Sequence, residues 1–420
     1  MEALRDQVER EATAAHAAVE RLTDAAVAHA LERAAALVGE QRETIAAANA
    51  ADVEAAQDKL DAGALDRLRL DSARIEALGT QLAELAELPA LDREAESWEL
   101  DNGLRVSVRR IPIGAVGANF EARPNVAVDV AGQLLKSLNA AVLRTGGAAL
   151  RTVTVLVDEV LRPALAEAGL PPAAVGLVRS PDREGARVLV SLPRVLPLVI
   201  LRGSGETTAA LATEAATHGV RTLAHAEGGG VLYVDARADA GMAELLVDAS
   251  LDRLGVCNRL NLLLVDRAAT SLLPGLLAAA AARGVRAVGT ERARRHAELA
   301  PLEVRLGHEW ANDAARIDTI TVDVVDGLAE AATIANDETS GLAATIVTED
   351  AAAAEQFLRS YRGTTAFWNA PTRFTDGFAL TGTPETGINV DRVPGPRGPV
   401  TYRDLWLRQV RVVGDGSQHR

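Results

Sequence analysis

The sequence predicts an α/β protein in which helices cover parallel β-sheets. Between residues 113 and 350, short apolar runs alternate with stretches of helical spacing. The runs are apolar on both faces, which is typical of strands in a parallel sheet buried between helices. At roughly 100–200 residues per domain, a chain of 420 residues is expected to form two or three domains.

The first 90 or so residues have the periodicity of amphipathic helices. Apolar residues recur every three or four positions between Leu22 and Leu37, with charged residues between them. Gly39 and Gly63 are predicted helix ends. This region is therefore expected to be helical.

A change of period marks residues 99–111, ELDNGLRVSVRRI. Here Val106 and Val108 alternate with polar side chains, which predicts a strand with one solvent-exposed face. Asn102-Gly103 before it is a turn signal. The closing stretch TYRDLWLRQVRVVGDG predicts a last helix or strand that projects from the body.

The apolar runs after residue 113 are the predicted buried strands. Helical segments such as VTVLVDEVLRPALAEAG and TTAALATEAATHG lie between them. In chain order the runs are IGAVGANF, AAVLRT, LPLVILRG, VLYVDA, LNLLLVD, RAVGT, TITVDVV and ATIVTED.

Composition excludes several classes of function. A net charge of −14 and an aromatic content of 3% argue against a nucleic-acid partner, which needs basic patches and stacking platforms. No run of 18 uninterrupted apolar residues or secretory leader is evident, so neither membrane insertion nor export is expected. The single cysteine cannot form an internal disulfide, which fits a reducing cytoplasm.

Two segments carry candidate anion or nucleotide contacts. In LPLVILRGSGETTAALATEAATHG, a strand, a glycine loop and a helix follow one another, so the loop is either an anion site or an ordinary tight turn. In RPNVAVDVAGQLLKSLNAAVLRTGG, Lys136 is suited to a phosphate or ribose hydroxyls. The alternative is that Lys136 is the exposed end of an amphipathic helix.

Cys257 is the candidate nucleophile. A lone cysteine is often a buried core residue, but Gly255 before it and Asn258 after it place it in a connection just ahead of a predicted strand. Core residue and nucleophile therefore both remain open on local grounds. A metal site is not expected, because the seven histidines are not clustered at ligand spacing. The Gly/Thr-rich stretch 369–392 is either a functional loop or a flexible surface loop.

Taken together, these segments resemble gamma-glutamyl phosphate reductase, a family within the aldehyde dehydrogenase superfamily, over nearly the whole chain. The family's V-C-N-A-x-E-T-L-L-V is similar to VCNRLNLLLVD, and its E-S-R-P-N-V-T-V-D, L-K-S-G-N-A and L-R-G-G are similar to IPIGAVGANFEARPNVAVDVAGQLLKSLNAAVLRTGG. Further blocks resemble AATIVTED, WNAPTRFTDG and RGPV.

The resemblance implies an aldehyde-dehydrogenase-like fold with two Rossmann-like domains and a β-projection for oligomerisation. The expected domains are a cofactor-binding domain (1–98 and 112–245), a catalytic domain (246–368) and the projection (99–111 and 390–420). It also implies NADPH-dependent reduction of L-glutamyl 5-phosphate to the 5-semialdehyde in proline biosynthesis, in a homo-oligomer such as a dimer or tetramer. An acyl-phosphate-forming kinase is a candidate partner.

The implied site residues fall into three groups. The catalytic group is Cys257, as the nucleophile that forms a thioester, and Asn125, as an oxyanion donor. The cofactor group is Lys136, Ser137, Asn139, Arg144, Gly203 and Asp313. The substrate group is Arg123, Asn258, Arg373 and Glu385.

Several positions depart from the family pattern. Leu138 stands where the family has Gly, Asp313 where it has Glu, and Leu342 near a family His; Ser204 and Pro371 are further departures. Many of them lie around the expected substrate pocket.

Three alternatives follow: a reductase of a different acyl phosphate, a non-catalytic partner of a kinase, or an oxidative aldehyde dehydrogenase. The last needs a base to activate water, for which Glu227 is a candidate.

Overall fold

The computed structural model describes residues 2–203, 205–225, 228–391 and 396–417. The chain divides into two compact units. The first unit comprises Met1–Ala224, Thr383–Gly387 and Val400–Arg420, and the second comprises His225–Gly382 and Ile388–Pro399. The predicted boundary at residue 245 thus lies later than the observed one, because the strand that follows residue 229 pairs within the second unit's sheet.

Helices of the first unit bury one apolar face each, as their spacing predicts. Several begin at a side-chain cap, such as Asp71, whose carboxylate accepts from the amide of Arg74. Gly63 lies inside one helix and does not end it. The helices are α1 (Glu2–Ala18), α2 (Asp24–Glu40), α3 (Arg42–Ala56), α4 (Ala62–Leu68), α5 (Ser72–Glu87), α6 (Asn125–Lys136), α7 (Leu150–Val155), α8 (Arg162–Glu167), α9 (Glu184–Leu189) and α10 (Gly205–His218).

A five-stranded sheet in the order β5-β4-β3-β6-β7 forms the core of the first unit. The pairs β3–β4, β3–β6 and β4–β5 are parallel, and β3 and β4 are buried along their whole length. The strands are β3 (Ala115–Phe120), β4 (Ala140–Thr145), β5 (Val175–Leu177), β6 (Leu198–Arg202) and β7 (Arg221–His225).

The same unit carries a three-stranded antiparallel sheet in the order β1-β2-β17. Its strands are β1 (Glu94–Glu99), β2 (Arg105–Ile111) and β17 (Leu407–Val413). The Asn102-Gly103 turn joins β1 to β2, and Gly103 has φ 84°. The predicted alternation in β2 is confirmed, because the side chains of Val106 and Val108 are buried. Of the two predictions for the closing stretch, the strand is the one observed.

A seven-stranded sheet of parallel pairs, in the order β11-β10-β12-β9-β8-β13-β14, forms the second unit. Helices pack on both faces, around two apolar clusters, so the predicted α/β class with parallel sheets is confirmed. The strands are β8 (Gly230–Val234), β9 (Leu260–Asp266), β10 (Arg286–Gly289), β11 (Ala300–Pro301), β12 (Thr319–Val325), β13 (Ala343–Val347) and β14 (Thr365–Trp368), and the helices are α11 (Ala240–Ala249), α12 (Leu273–Ala282), α13 (Glu291–Arg294), α14 (Leu328–Asp337), α15 (Ala351–Ser360) and α16 (Gly377–Thr381).

Each predicted apolar run contains a strand. β15 (Gly387–Asn389) and β16 (Gly398–Val400) form a further two-stranded sheet. Among the helices of the described ranges, none has the length and hydropathy needed to span a bilayer.

Candidate functional site

Cys257 lies in the connection between α11 and β9, and its side chain is exposed. The alternative that Cys257 is a buried core residue is therefore wrong. Helix α11 ends at Ala249, and β9 begins only at Leu260. The sulfur is held in a connection ahead of a rigid strand and is open to solvent.

The backbone of Gly228 passes directly beside Cys257. A Cβ atom built at Gly228 would lie 2.5 Å from the Cβ of Cys257 and 2.7 Å from its carbonyl oxygen. That same oxygen accepts a hydrogen bond from the amide of Gly229 at 2.6 Å. A side chain at position 228 cannot be accommodated without moving one of the two segments, so glycine is required for this close approach.

Asn258 fixes the loop on its other side. The buried Asn258 amide donates to the carbonyl oxygens of Arg373 (3.0 Å) and Thr375 (2.9 Å). Its Oδ1 accepts from the guanidinium of Arg373, which also forms an ion pair with Asp252. Thr372 Oγ1 donates to the carbonyl oxygen of Asn258 at 2.8 Å. The sequence-predicted pair Asn258 and Arg373 is thus brought together, and its contacts position the cysteine loop.

Arg259, which follows, is entirely buried and binds three backbone carbonyl groups. Its guanidinium donates to the oxygens of Leu260, Ile317 and Thr319. Burial lowers the pKa of Arg259 to about 10. The contacts tie the start of β9 to the segment that leads into β12.

This site lies at the amino edge of the second unit's sheet. Gly228, Cys257 and Leu342 each precede a strand of the parallel sheet, namely β8, β9 and β13. Ser340 Oγ donates to the carbonyl oxygen of Gly228 at 3.0 Å. Leu342 is buried in an apolar cluster with Ile388, so this position offers neither a proton donor nor an acceptor.

Asp313 belongs to a polar cluster elsewhere in the second unit. Its Oδ2 lies 3.0 Å from His308 Nε2 and 2.7 Å from a terminal nitrogen of Arg316. Burial acts to raise the pKa of Asp313, but hydrogen bonds from His308 and Arg316 outweigh it and the pKa is lowered. Arg316 also lies over the ring of the buried Trp310. The carboxylate is therefore held ionised and oriented.

The carboxyl edge of the first unit's sheet gathers a second set of predicted residues. Gly203 follows β6, and a Cβ there would lie 3.0 Å from Glu121 Oε1. Arg144, near the end of β4, is buried and donates to Asn119 Oδ1 at 3.1 Å and to the carbonyl oxygen of Asp182 at 2.9 Å. Burial lowers the pKa of Arg144. Ligands of doubly wound sheets bind at this edge.

Asn125 is the first residue of α6, at the same edge. Its amide nitrogen donates to Asp129 Oδ2 at 3.0 Å, one turn further along the helix. The charged groups that act on Asp129 are Arg202 and Glu385. Burial, with Glu385, raises the pKa of Asp129 to about 7, against the opposing effects of Arg202 and Asn125.

Three predicted cofactor residues lie at the opposite, amino edge of that sheet. The buried Lys136 ammonium donates to the carbonyl oxygens of Ala86 (3.0 Å) and Leu88 (2.6 Å), so it is not an exposed helix end. Ser137 Oγ and Asn139 are likewise hydrogen bonded inside the unit, and Asn139 Oδ1 accepts from two backbone amides. Their assignment to a cofactor is a prediction that this geometry does not support, because their donors and acceptors already form hydrogen bonds inside the first unit.

The remaining predicted residues are divided between the units. Arg123 is exposed just before α6, and Glu385 is part of the short 383–387 segment of the first unit. Ser204 and Glu227 lie outside the described residues. Sequence reasoning assigned no role to Gly228 or Asp129; the Gly-Gly-Gly run from 228 was the available signal for the first, and a lone Asp within an apolar helix for the second.

Comparison with known proteins gives a consistent result. The pattern described as "Aldehyde dehydrogenase family" matches residues 2–302 and 319–398. The gamma-glutamyl phosphate reductase of Clavibacter michiganensis subsp. michiganensis is 38% identical over 394 residues, which cover 92% of this chain and 89% of that protein.

Solved structures agree with the sequence comparison. The crystal structure of gamma-glutamyl phosphate reductase from Thermotoga maritima matches with a TM-score of 0.91 at 28% identity, over 99% of this chain and 100% of that one. An engineered glycolyl-CoA reductase with bound NADP+ matches with a TM-score of 0.69 at 15% identity, over 97% of this chain and 96% of that one.

Proposed function

The chain belongs to the aldehyde dehydrogenase family, and from this premise we propose that it reduces L-glutamyl 5-phosphate to L-glutamate 5-semialdehyde and releases phosphate. The chain is an oxidoreductase that acts on an aldehyde or acyl phosphate. The choice of glutamyl phosphate rests on the reductases that resemble it over nearly their whole length. The product places the reaction in proline biosynthesis.

The exposed thiol of Cys257 is the observation that carries this proposal. A thiolate there attacks the acyl carbon, and phosphate leaves with the electron pair of the broken C–O bond, which gives a thioester. A nicotinamide cofactor, when bound, would supply the hydride that reduces this thioester on Cys257. Cys257 then leaves from the resulting thiohemiacetal as the aldehyde forms. No water takes part in these steps.

The neighbours of Cys257 hold the sulfur in place. Gly228 and Gly229 fix the loop through close approach and one hydrogen bond. Asn258 and Arg373 fix it from the other side. A nucleophile held this way loses little orientational freedom in the attack. Arg373 and Arg123 remain our candidates for the anionic groups of the substrate, and Asn125 for the oxyanion.

The aldehyde dehydrogenase family uses a nicotinamide cofactor, and the first unit fits one. The β6–α10 loop begins with Gly203, where a Cβ would meet Glu121, and leads into a helix of 14 residues. Backbone amides and a helix N-terminus suit a diphosphate. We assign NADPH to this loop, with Arg144 near it and Asp313 for a ribose.

The three-stranded sheet is our candidate oligomerisation surface. Strand β17 is at its edge, and Val410 and Val412 on this strand are each 52% exposed. An exposed apolar edge strand pairs readily with another chain. A homo-oligomer built through β17 would cover it, and an acyl-phosphate-forming kinase remains a candidate partner for substrate transfer.

One assay tests the proposed reaction in reverse. The purified protein is given NADP⁺, phosphate and glutamate 5-semialdehyde, then the same mixture without phosphate, and NADPH formation is followed at 340 nm. We expect phosphate-dependent NADPH formation that Cys257→Ser abolishes. Phosphate-independent formation would instead indicate an oxidative dehydrogenase, and no formation would favour a different acyl phosphate or a non-catalytic role.

A further inference from the structure

Arg259 carries a positive charge into the interior of the second unit, two residues after Cys257. Its guanidinium donates to the carbonyl oxygens of Leu260 at 2.9 Å, Ile317 at 2.5 Å and Thr319. These acceptors are neutral, and no carboxylate of the described residues hydrogen bonds to the guanidinium. The charge is therefore held in a fixed place without being neutralised there.

A tight turn keeps Cys257 close to this charge. The amide of Arg259 makes a long hydrogen bond of 3.5 Å to the carbonyl oxygen of Val256, so Cys257 lies at the centre of the turn. The amides of Gly229 and Gly230 donate to the carbonyl oxygens of Cys257 (2.6 Å) and Arg259 (2.7 Å). Since two residues of backbone span at most about 7 Å, the thiol and the guanidinium belong to one small, clamped segment.

A charge buried in this way acts on an ionisable neighbour more strongly than a surface charge does. The low effective dielectric strengthens the interaction, and salt screens a buried charge less than an exposed one. A thiol beside a cation ionises more readily, because the cation stabilises the thiolate. Burial lowers the pKa of Arg259 to about 10, so the guanidinium remains charged at neutral pH.

Charged side chains elsewhere around the turn pair with one another. Arg373, which contacts Asn258, forms an ion pair with Asp252 at 2.5 Å. Asp318 is half exposed and pairs with Arg286 at 3.4 Å. Further charged groups of these segments are Arg253, which also has a partner, and the cluster of His308, Asp313 and Arg316. Arg259 differs from these groups because it is buried and all its hydrogen bonds go to neutral acceptors.

Two departures from the family pattern make the start of β9 more positive. The pattern V-C-N-A-x-E-T-L-L-V has Ala and Glu where this chain has Arg259 and Asn261. One change adds a positive charge and the other removes a negative one. Asn261 is buried and bonds the backbone of His308 and Trp310, at 2.7 and 2.9 Å. The surroundings of the sulfur therefore favour a negative charge more than the pattern alone would.

We propose that the buried charge of Arg259 keeps the sulfur of Cys257 in its thiolate form. Arg259 touches no substrate atom in this proposal and acts through Cys257, as a positioning residue. The inference rests on the proposed nucleophile and deepens it, because the thiolate is the form that attacks the acyl carbon. The thiol proton is released to solvent before the attack, and the thiolate is regenerated when the aldehyde leaves.

The pH dependence of alkylation by iodoacetamide measures this ionisation. Cys257 is the only cysteine of the chain, so the reaction reports on one thiol. In the wild-type protein we expect a midpoint below about 8.5, the ordinary pKa of a cysteine. Arg259→Met should raise the midpoint by roughly 0.5–1.2 pH units, as expected for unit charges about 10–15 Å apart at an effective dielectric constant of about 20–30. At pH 7 the alkylation rate should fall roughly two- to fourfold.

Two matched variants separate the effect of charge from that of structure. Arg286→Met removes an exposed guanidinium that binds Thr319 Oγ1 at 3.0 Å, and Asn261→Ala removes two hydrogen bonds of β9 but no charge. Both should keep the midpoint within about 0.2 pH units of the wild-type value, because water and salt screen an exposed charge. A shift in Asn261→Ala as large as that in Arg259→Met would overturn the inference. A wild-type midpoint of about 8.5 or above would do so too, and that measurement does not depend on the folding of any variant.

Alkylation requires neither cofactor nor acyl phosphate, so this test is independent of the proposed reaction. If the midpoint moves as expected but no phosphate-dependent NADPH forms, the effect of Arg259 stands and the proposed reaction fails. If NADPH forms but Arg259→Met alkylates with the wild-type midpoint, the reaction stands and the inference fails. In active protein, the acidic limb of kcat/KM for the reverse reaction should move with the alkylation midpoint.

Discussion

Adding one methyl group at Gly228 should disable Cys257 without unfolding the protein. In Gly228→Ala, the new Cβ would lie 2.5 Å from the Cβ of Cys257, whereas ordinary contacts begin at 3.4 Å. The two segments must therefore separate by about 0.9 Å. The hydrogen bond from Gly229 to the Cys257 carbonyl oxygen, at 2.6 Å, opposes that movement, so the cysteine loop is expected to shift.

A shift of about 1 Å in a catalytic group costs roughly 100-fold in rate. We therefore expect kcat of the phosphate-dependent reverse reaction to fall by about that factor in Gly228→Ala. The rate at which iodoacetamide alkylates Cys257 should change as well, because the environment of the sulfur changes. Circular dichroism will show whether the fold is retained.

Gly255→Ala is the matched control. Gly255 lies in the same loop, but its added Cβ would meet only Ile317 Cδ1 at 3.8 Å, an ordinary contact. This variant should keep kcat within threefold of the wild-type value. If Gly228→Ala also did so, the close approach would not be what positions Cys257, and the reasoning would be refuted.

Three further predictions concern stability. Leu138→Gly should raise the melting temperature Tm by about 2 °C in calorimetry. The reason is that Leu138 has φ 63°, and a residue with a side chain costs roughly 1–2 kcal/mol in this left-handed conformation. A lower Tm would show that burial of the leucine side chain matters more. Arg259→Met should reduce the free energy of unfolding, measured by urea titration, by roughly 3 kcal/mol, because three buried carbonyl groups lose their hydrogen-bond donor. An unchanged free energy of unfolding would contradict this. For Asp129, burial raises the pKa from 3.8 to about 7, so the folded state holds a proton that the unfolded chain has released, and stability falls as pH rises through that interval. Asp129→Asn should thus gain stability relative to wild type as the pH rises from about 4 to about 7, by at most about 4 kcal/mol over that window. A stability difference that is independent of pH would refute this.

The parallel sheets and the strand at 105–111 could be predicted from the sequence because their signals are local. Apolar runs such as LNLLLVD are typical of strands buried on both faces, and the structure confirms this for β9. Strands β1 and β14 were missed because their residues are largely exposed. A strand that is stabilised mainly by hydrogen bonds to a neighbouring strand need not show a hydrophobic pattern in its own sequence.

The sequence places Cys257 in a connection ahead of a strand, and the structure confirms that position and shows the side chain exposed. Its role as nucleophile stays a prediction. Spacing favours an exposed helix end for Lys136, and that prediction is wrong because α6 carries the ammonium to the packed amino edge of the sheet, where it bonds two carbonyl groups. Leu138 shows the opposite case: the departure from a family glycine was visible in the sequence, and the positive φ explains why glycine suits that position.

The division of the chain has a consequence for how it folds as it leaves the ribosome. The first unit includes 383–387 and 400–420, and Gln133 binds the backbone of Pro384 and Tyr402 from these segments. A truncated fragment ending at residue 224 would leave both groups of Gln133 without partners and the β1–β2 hairpin without β17. The amino-terminal half should therefore reach its native state only after synthesis is nearly complete.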